Sequence, residues 1–387
     1  MCRTHSGFTA QSKRGVVMPD SRRGAARRKA DAMFRRLLTR HGPGEIADRL
    51  SLHPNTVKRW IEQERVPPQY TQDFMRMLGR PAREISKQLA DPVRDKDQYY
   101  TKPEAAKRCF AVFQKVAANL QIDLRRYHFI EPSAGCGWFY RLLPPRRRTG
   151  VDIDPGSDAF GASDRLVTAD FLQWRPRQNG KARKFAVVGN PPFGLRGHLA
   201  LQFLNHASGF ADLTGFVLPQ LFASRGKGVP GKRVRNYQLA HTEDMPPNSF
   251  RRSTGEDIDI STVFQVWTKV GVEHIVRTPE KTCWTYAQVV SLSDGGTPAS
   301  TRNKALIGKC DIYLPSTCYG GMRAYADFEE LPHRRGYGVI LLRRKQEIGR
   351  RLRRHPWEKT AFRSTNSALN LRRDLIEKVI VEHGYFD

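Results

Sequence analysis

The run AVVGNPPFG, residues 186–194, ends a hydrophobic segment in an amide, two prolines and an aromatic ring. Pro191 and Pro192 cannot extend a sheet ladder and push the residues before them toward extended geometry, so the segment reads as a strand that stops in a stiff platform. Asn190 offers a side-chain carbonyl, Pro191 a main-chain carbonyl and Phe193 a face for stacking. Two rigid acceptors beside a flat ring suit an amino group on a planar base. The lone pair of such an amine is delocalised into its ring and attacks poorly. Two hydrogen bonds accepted from the NH₂ would draw the nitrogen toward a tetrahedral shape and localise that pair, while stacking on Phe193 holds a base that has left its duplex.

Three earlier strand ends have the chemistry of a ligand pocket. FIEPSAGCGWF (129–139) is a strand followed by a turn in which Gly135 and Gly137 let the backbone approach a ligand. The lysine and Ser/Thr of a phosphate loop and the third glycine of a dinucleotide fingerprint are absent. The next apolar run ends in Asp152, where a carboxylate can accept both hydroxyls of a ribose. The third ends in Asp170 and Phe171, able to accept from an exocyclic amine and to cover an adenine face. An acid at a strand end is often only a helix cap, and a Gly-x-Gly turn only a turn; in this order they describe an adenosine pocket without a pyrophosphate site.

The elements that must carry these ends follow from hydrophobic periodicity. Ala106, Cys109, Phe110, Phe113, Val116, Ala117 and Leu120 recur at three and four and predict a half-buried helix. The runs YHFIEPS, TGVDID, RLVTAD, KFAVVGN and TGFVLPQ then alternate with loop or helical material, the pattern of a doubly wound α/β sheet. At 387 residues with 39% hydrophobic content the chain can bury a large core in two or three domains, and its net charge of +28 calls for a polyanionic partner, nucleic acid first. No apolar run approaches the ~18 residues of a membrane span and no secretory segment is read near the start, so a cytoplasmic protein without a membrane partner is expected. Cys2, Cys109, Cys136, Cys283, Cys310 and Cys318 form no CxxC pair, which argues against a zinc ribbon or a disulfide framework.

Residues 1–32 are basic and poor in bulky apolar side chains and read as a disordered arm. From Met33 to about residue 90 two short amphipathic patterns flank the turn SLH, with Ile46, Ala47 and Leu50 on one face and Val57, Trp60 and Ile61 on the next. Pro54 suits the first turn of the second helix. The stretch resembles a helix-turn-helix of the phage repressor or Cro type, which implies that Asn55, Thr56, Lys58 and Arg59 face a major groove. A small helical bundle used only for packing is the plainer alternative.

EPSAGCG, GVDIDP, TADF and NPPF together resemble the core motifs of S-adenosylmethionine-dependent amino-methyltransferases, most closely the DNA adenine-N6 methyltransferases, and YYTKPEAA resembles that family's additional N-terminal cofactor motif. The resemblance covers about residues 97–270. It implies a Rossmann-like sheet of seven strands over 97–275, S-adenosyl-L-methionine as cofactor, no metal requirement and double-stranded DNA as partner. Thr101, Glu131, Ser133, Gly135, Gly137, Asp152 and Asp170 would line the cofactor with Phe171 against its adenine, and Asn190, Pro191 and Phe193 would hold a flipped target base. The motif order, with too few residues between Asp170 and Asn190 for an inserted domain, implies target recognition after the catalytic core.

GFVLPQLF then resembles the next core strand and STVFQVWTKV the last hairpin strand, with Phe264 as a second aromatic for the target base and Trp267 behind it, unless both are core residues. Residues 224–250 are rich in glycine and cations and read as a DNA-contacting loop, and 276–387 as a basic target-recognition region. The open alternatives are transfer to cytosine N4 in DNA, guanine N2 in ribosomal RNA or a protein glutamine, and a DNA-binding regulator whose core is not catalytic.

Overall fold

The computed structural model of the chain describes residues 20–89, 99–154, 160, 165–177, 184–225, 229–252, 255–276, 281–296, 300–364 and 368–387. The chain divides into two units, Met1–Pro81 and Ala82–Asp387.

In the first unit helix α1 (Asp20–Leu38) begins inside the segment expected to be a disordered arm. Ala25, Ala26, Arg27, Arg28, Lys29 and Ala30 are all strong helix formers, and Ala30, Phe34 and Leu37 recur at helical spacing and are buried. Residues 1–19 of that arm lie outside the described residues. Helices α2 (Pro43–Arg49), α3 (Pro54–Glu62) and α4 (Thr71–Met77) follow. The rings of Trp60 and Phe74 lie 5.9 and 5.6 Å from that of Phe34 and centre the core. Ser51, at φ 53°, turns the chain between α2 and α3, and the His53 side chain accepts from the Asn55 N–H to cap α3. Val57 and Trp60 are buried as expected, but Ile61 is 38% exposed.

The second unit opens with α5 (Ala82–Leu89); Gly79 at φ 71° followed by Pro81 breaks the helical run before it. Its main sheet is built from β2 (Tyr127–Glu131), β3 (Arg148–Asp152), β4 (Leu166–Thr168), β5 (Lys184–Gly189), β6 (Leu213–Pro219), β7 (Gln238–Asp244) and β10 (Thr262–Thr268), in the order β4-β3-β2-β5-β6-β10-β7. β2 to β6 are parallel, and β10 runs antiparallel between β6 and β7. Helices α6 (Pro103–Asn119), α7 (Trp138–Leu142) and α8 (His198–Ala207) supply the helical layers, and the buried residues of α6 and α8 share one core with the sheet. This is a Rossmann-like, mostly parallel seven-stranded α/β fold.

A small ribbon stands apart from the main sheet: β1 (Tyr99–Thr101) pairs with β8 (Phe250–Arg252), which pairs with β9 (Asp257–Ile258). The C-terminal region holds a three-stranded sheet of β11 (Ala287–Ser293), β12 (Ile312–Pro315) and β14 (Arg335–Leu341), and a smaller one of β13 (Thr317–Cys318), β15 (Phe362–Arg363) and β16 (Leu369–Asn370). Helices α9 (Lys345–Arg354), α10 (Trp357–Thr360) and α11 (Arg373–Glu382) pack with them around the fully buried Trp357.

Segment 224–250 departs from the loop expected there, because it contains β7, the outer strand of the main sheet. As an edge strand it pairs only with β10, and its side chains are exposed or half-buried, so it carries no run of apolar residues to announce it. Among the described residues no helix is long and apolar enough to cross a membrane. The five described cysteines are free, and burial pushes the Cys136, Cys283 and Cys310 thiols up, the latter two to about 11, which keeps them protonated.

Candidate active site

In an open α/β sheet the ligand crevice lies outside the carboxyl ends of the strands, where the strand order reverses. Here the order reverses between β2 and β5, which pair in parallel from Tyr127↔Lys184 to Ile130↔Val187. The Gly135 turn leaves one of these two strands and Asn190 leaves the other, so the two stretches singled out from sequence emerge side by side.

After β2, Gly135 (φ 47°) and Gly137 (φ 76°) take a left-handed turn that favours glycine. The Gly135 N–H donates to Asp152 Oδ2 at 2.8 Å, and the Asp154 N–H donates to Oδ1 of the same carboxylate at 2.9 Å. Asp152 therefore shapes the turn as well as standing at the end of β3; each oxygen keeps a further lone pair for a ligand. A Cβ at Gly135 would meet the Tyr100 ring at 3.3 Å, and one at Gly137 would meet Phe160 at 3.2 Å. Neither aromatic had a sequence signal of its own, although Tyr100 lies within the YYTKPEAA motif.

Glu131 ends β2 and is buried. Burial pushes its carboxyl well above the ordinary carboxylate range, and the nearby Asp152 charge adds to this against the Tyr140 N–H and Arg141. Its Oε2 has no hydrogen-bond partner. Thr101 Oγ1, on β1, is likewise buried and unpartnered. Asp170 is 3% exposed, and its Oδ1 accepts from the Leu172 N–H at 3.0 Å just after β4.

Asn190 is held from two sides. Its Nδ2 donates to the Tyr99 carbonyl at 3.1 Å, and its own main-chain carbonyl accepts from the Ser133 hydroxyl at 2.8 Å. With the NH₂ end of the amide engaged, Oδ1 becomes a pointed acceptor; it is shielded from solvent and accepts no hydrogen bond. Pro191 is buried and Pro192 exposed. Phe193 is 9% exposed, and its carbonyl accepts from the N–H groups of Leu199 and Ala200 at the start of α8. Ser133 faces this platform directly, a bracing contact that sequence reasoning did not find.

A buried polar group left unpaired costs about 1–3 kcal/mol. Thr101 Oγ1, Glu131 Oε2 and Asn190 Oδ1 are three such atoms, on β1, the end of β2 and the NPPF loop after β5, which meet near the carboxyl ends of β2 and β5. Their number and common location fit a polar ligand that hydrogen-bonds there, and the glycine turn beneath Tyr100 and Phe160 fits a planar or ribose-bearing part of it.

Three aromatics read from the sequence are buried. Phe264 is fully buried in β10, with Gly215 and Phe113 beside it: a Cβ on Gly215 would meet the Phe264 and Phe113 rings at 3.0 and 2.5 Å. It is a core side chain, because β10 lies between two strands with both of its faces covered. Trp267 is also buried, and its Nε1–H donates to Gln265 Oε1 at 3.1 Å. Phe171 is 1% exposed and packs on Phe203 at 5.1 Å and His206 at 5.0 Å. In the first unit Asn55, Lys58 and Arg59 of α3 are exposed and Thr56 is half-buried.

No family model matches the chain, and neither does any curated protein. Solved structures do resemble it. A candidate RNA methyltransferase from Pyrococcus horikoshii is 18% identical over 47% of this chain and 91% of its own, with a TM-score of 0.33. The type I restriction-modification methyltransferase subunit from Streptococcus thermophilus is 15% identical over 52% and 49%, with a TM-score of 0.31. Magnesium protoporphyrin IX methyltransferase from Synechocystis, solved with bound S-adenosylmethionine, is 12% identical over 42% and 79%, with a TM-score of 0.31.

Proposed function

We propose that the chain transfers a methyl group from S-adenosylmethionine to the N6 amino group of adenine in double-stranded DNA. The observation that carries this reading is Asn190: its amide is fixed by the Tyr99 carbonyl so that a bare, buried acceptor stands beside the Gly135 turn. Thr101, Glu131, Gly135, Gly137, Asp152 and Asp170 would hold the cofactor, which supplies an electrophilic methyl group when bound.

The chain's own part is positioning. Asn190 Oδ1 and the Pro191 carbonyl accept from the adenine NH₂, Phe193 meets the face of the extruded base, and Ser133 keeps the Asn190 main chain in register with the cofactor turn. No strong base is required, because the proton on nitrogen becomes acidic once the methyl group is attached and leaves to solvent. Asn55, Thr56, Lys58 and Arg59 would read a major groove, and the C-terminal region would contact the duplex around the target.

The test is transfer of labelled methyl groups to DNA, RNA and protein, followed by nucleoside and amino-acid analysis. Label recovered as N6-methyladenine supports the reading. Label in cytosine, guanine or glutamine moves the assignment to that acceptor, and binding to DNA without any transfer assigns a regulator.

A further inference from the structure

Between Arg343 and Arg354 the chain carries seven cations and a single acid, Glu347. That acid is shared by Arg344 and Arg351, at 3.7 and 3.6 Å. Arg353 turns away and donates to the Asp311 main-chain carbonyl at 3.2 Å. Arg350 and Arg354, both exposed, make no ion pair among the described residues. They are four apart on one face of α9, where like charges repel and lower helix stability by a few tenths of a kcal/mol.

These two arginines open onto a cleft of about 280 Å³ lined by Arg350, Arg351, Arg354, His355, Pro356 and His383. His355 follows α9 and His383 follows α11, and their rings meet edge-on at 5.6 Å. Glu382, next to His383, is held by Lys378 at 3.6 Å. Two helix C-termini bring roughly one negative charge in total to such a place, which accounts for one cation. With Arg351 shared with Glu347, Arg350 and Arg354 still exceed it. Guanidinium groups in this arrangement match the oxygens of a phosphate.

We propose that this cleft at the end of α9 binds a backbone phosphodiester and is a DNA contact of the C-terminal region, an inference that rests on the DNA reading above. Arg350 and Arg354 donate to the phosphate oxygens, and His355 and His383 wall the cleft.

The test uses the full chain and a short fluorescein-labelled DNA duplex of mixed sequence, with anisotropy measured across a sodium chloride series. A phosphate that is no longer neutralised lowers the slope of log affinity against log salt by about 0.9, so R350Q/R354Q, which removes both donors to that one phosphate, is expected to lose about 0.9 units of slope and roughly tenfold in affinity. Calorimetric binding of S-adenosylmethionine is expected to stay unchanged. R125Q/R126Q, an equal charge loss just before β2, is expected to keep the wild-type slope. An unchanged slope in R350Q/R354Q with a lowered melting temperature would leave these arginines as helix-end stabilisers and overturn the inference. So would equal losses in the two double variants, or a change confined to an RNA duplex of the same sequence. A wild-type chain that binds no duplex at all removes the DNA reading itself.

Discussion

The Ser133 hydroxyl donates to the main-chain carbonyl of Asn190 at 2.8 Å and so ties the turn after β2 to the platform after β5. The resemblance implies a cofactor contact for Ser133; the hydrogen bond implies a brace. Ser133→Ala separates the two. Loss of a brace is expected to lower kcat about tenfold, the worth of one well-placed hydrogen bond, with cofactor affinity unchanged. Ser133→Thr, which keeps the hydroxyl, is expected to restore the rate. A raised cofactor Kd at unchanged kcat would favour the direct contact.

Asn190 carries the central prediction. Asn190→Ala removes the unpartnered acceptor and the donor to Tyr99 together, and transfer is expected to fall below detection while cofactor binding persists. Asn190→Asp keeps an acceptor but sets a carboxylate against the Tyr99 carbonyl, and is expected to be nearly as inactive. Undiminished turnover in either variant contradicts the proposed function.

Glu131 offers a pH test with a definite sign. Burial raises its folded-state pKa above the ordinary 4.5, so it is favourable when protonated, and this contribution is lost as pH rises above 4.5 toward the folded-state value. Glu131→Gln mimics the protonated form. The ligand-free variant is expected to melt at a higher temperature than wild type at neutral pH, with the gap closing toward pH 4.5. Its affinity for S-adenosylmethionine is expected to drop. A gap that does not depend on pH would show that Glu131 does not titrate as argued.

Phe264 sits in the core, so Phe264→Leu is expected to lower stability by about 1–2 kcal/mol through the cavity left beside Gly215 and Phe113. Steady-state kcat at a temperature where the variant stays folded is expected to hold within roughly twofold. A large kcat loss without destabilisation would return the ring to the target base.

For the first unit, Lys58→Ala combined with Arg59→Ala is expected to weaken duplex binding and reduce its salt dependence by about 0.9 units of slope for each phosphate released. The proposed transfer chemistry requires no change in cofactor affinity. Unaltered DNA binding would leave α2 and α3 as a packing unit.

The order of the strand ends along the chain is legible in the amino-acid sequence, because a parallel strand announces itself as an apolar run and the chemistry sits on the first residues after it. Gly135, Asp152, Asp170 and Asn190 stand at such positions, and the sheet carries their four strands as neighbours. The Asn190 platform is equally local, since two prolines dictate their own backbone.

Other features depend on residues distant in sequence. The Tyr99 carbonyl reaches Asn190 across ninety-one positions, and Tyr100 covers Gly135 only because β1 is drawn into a ribbon with β8. The edge strand β7 has no hydrophobic pattern, and an aromatic at alternating strand spacing looks the same whether it faces a ligand or, like Phe264, a second layer of protein. Sequence by itself determined which groups stand at the ends of strands, since that depends on local pattern and backbone restriction. Which face each side chain meets, and which polar atom is left without a partner, only tertiary packing decided, because both depend on what other segments bring alongside.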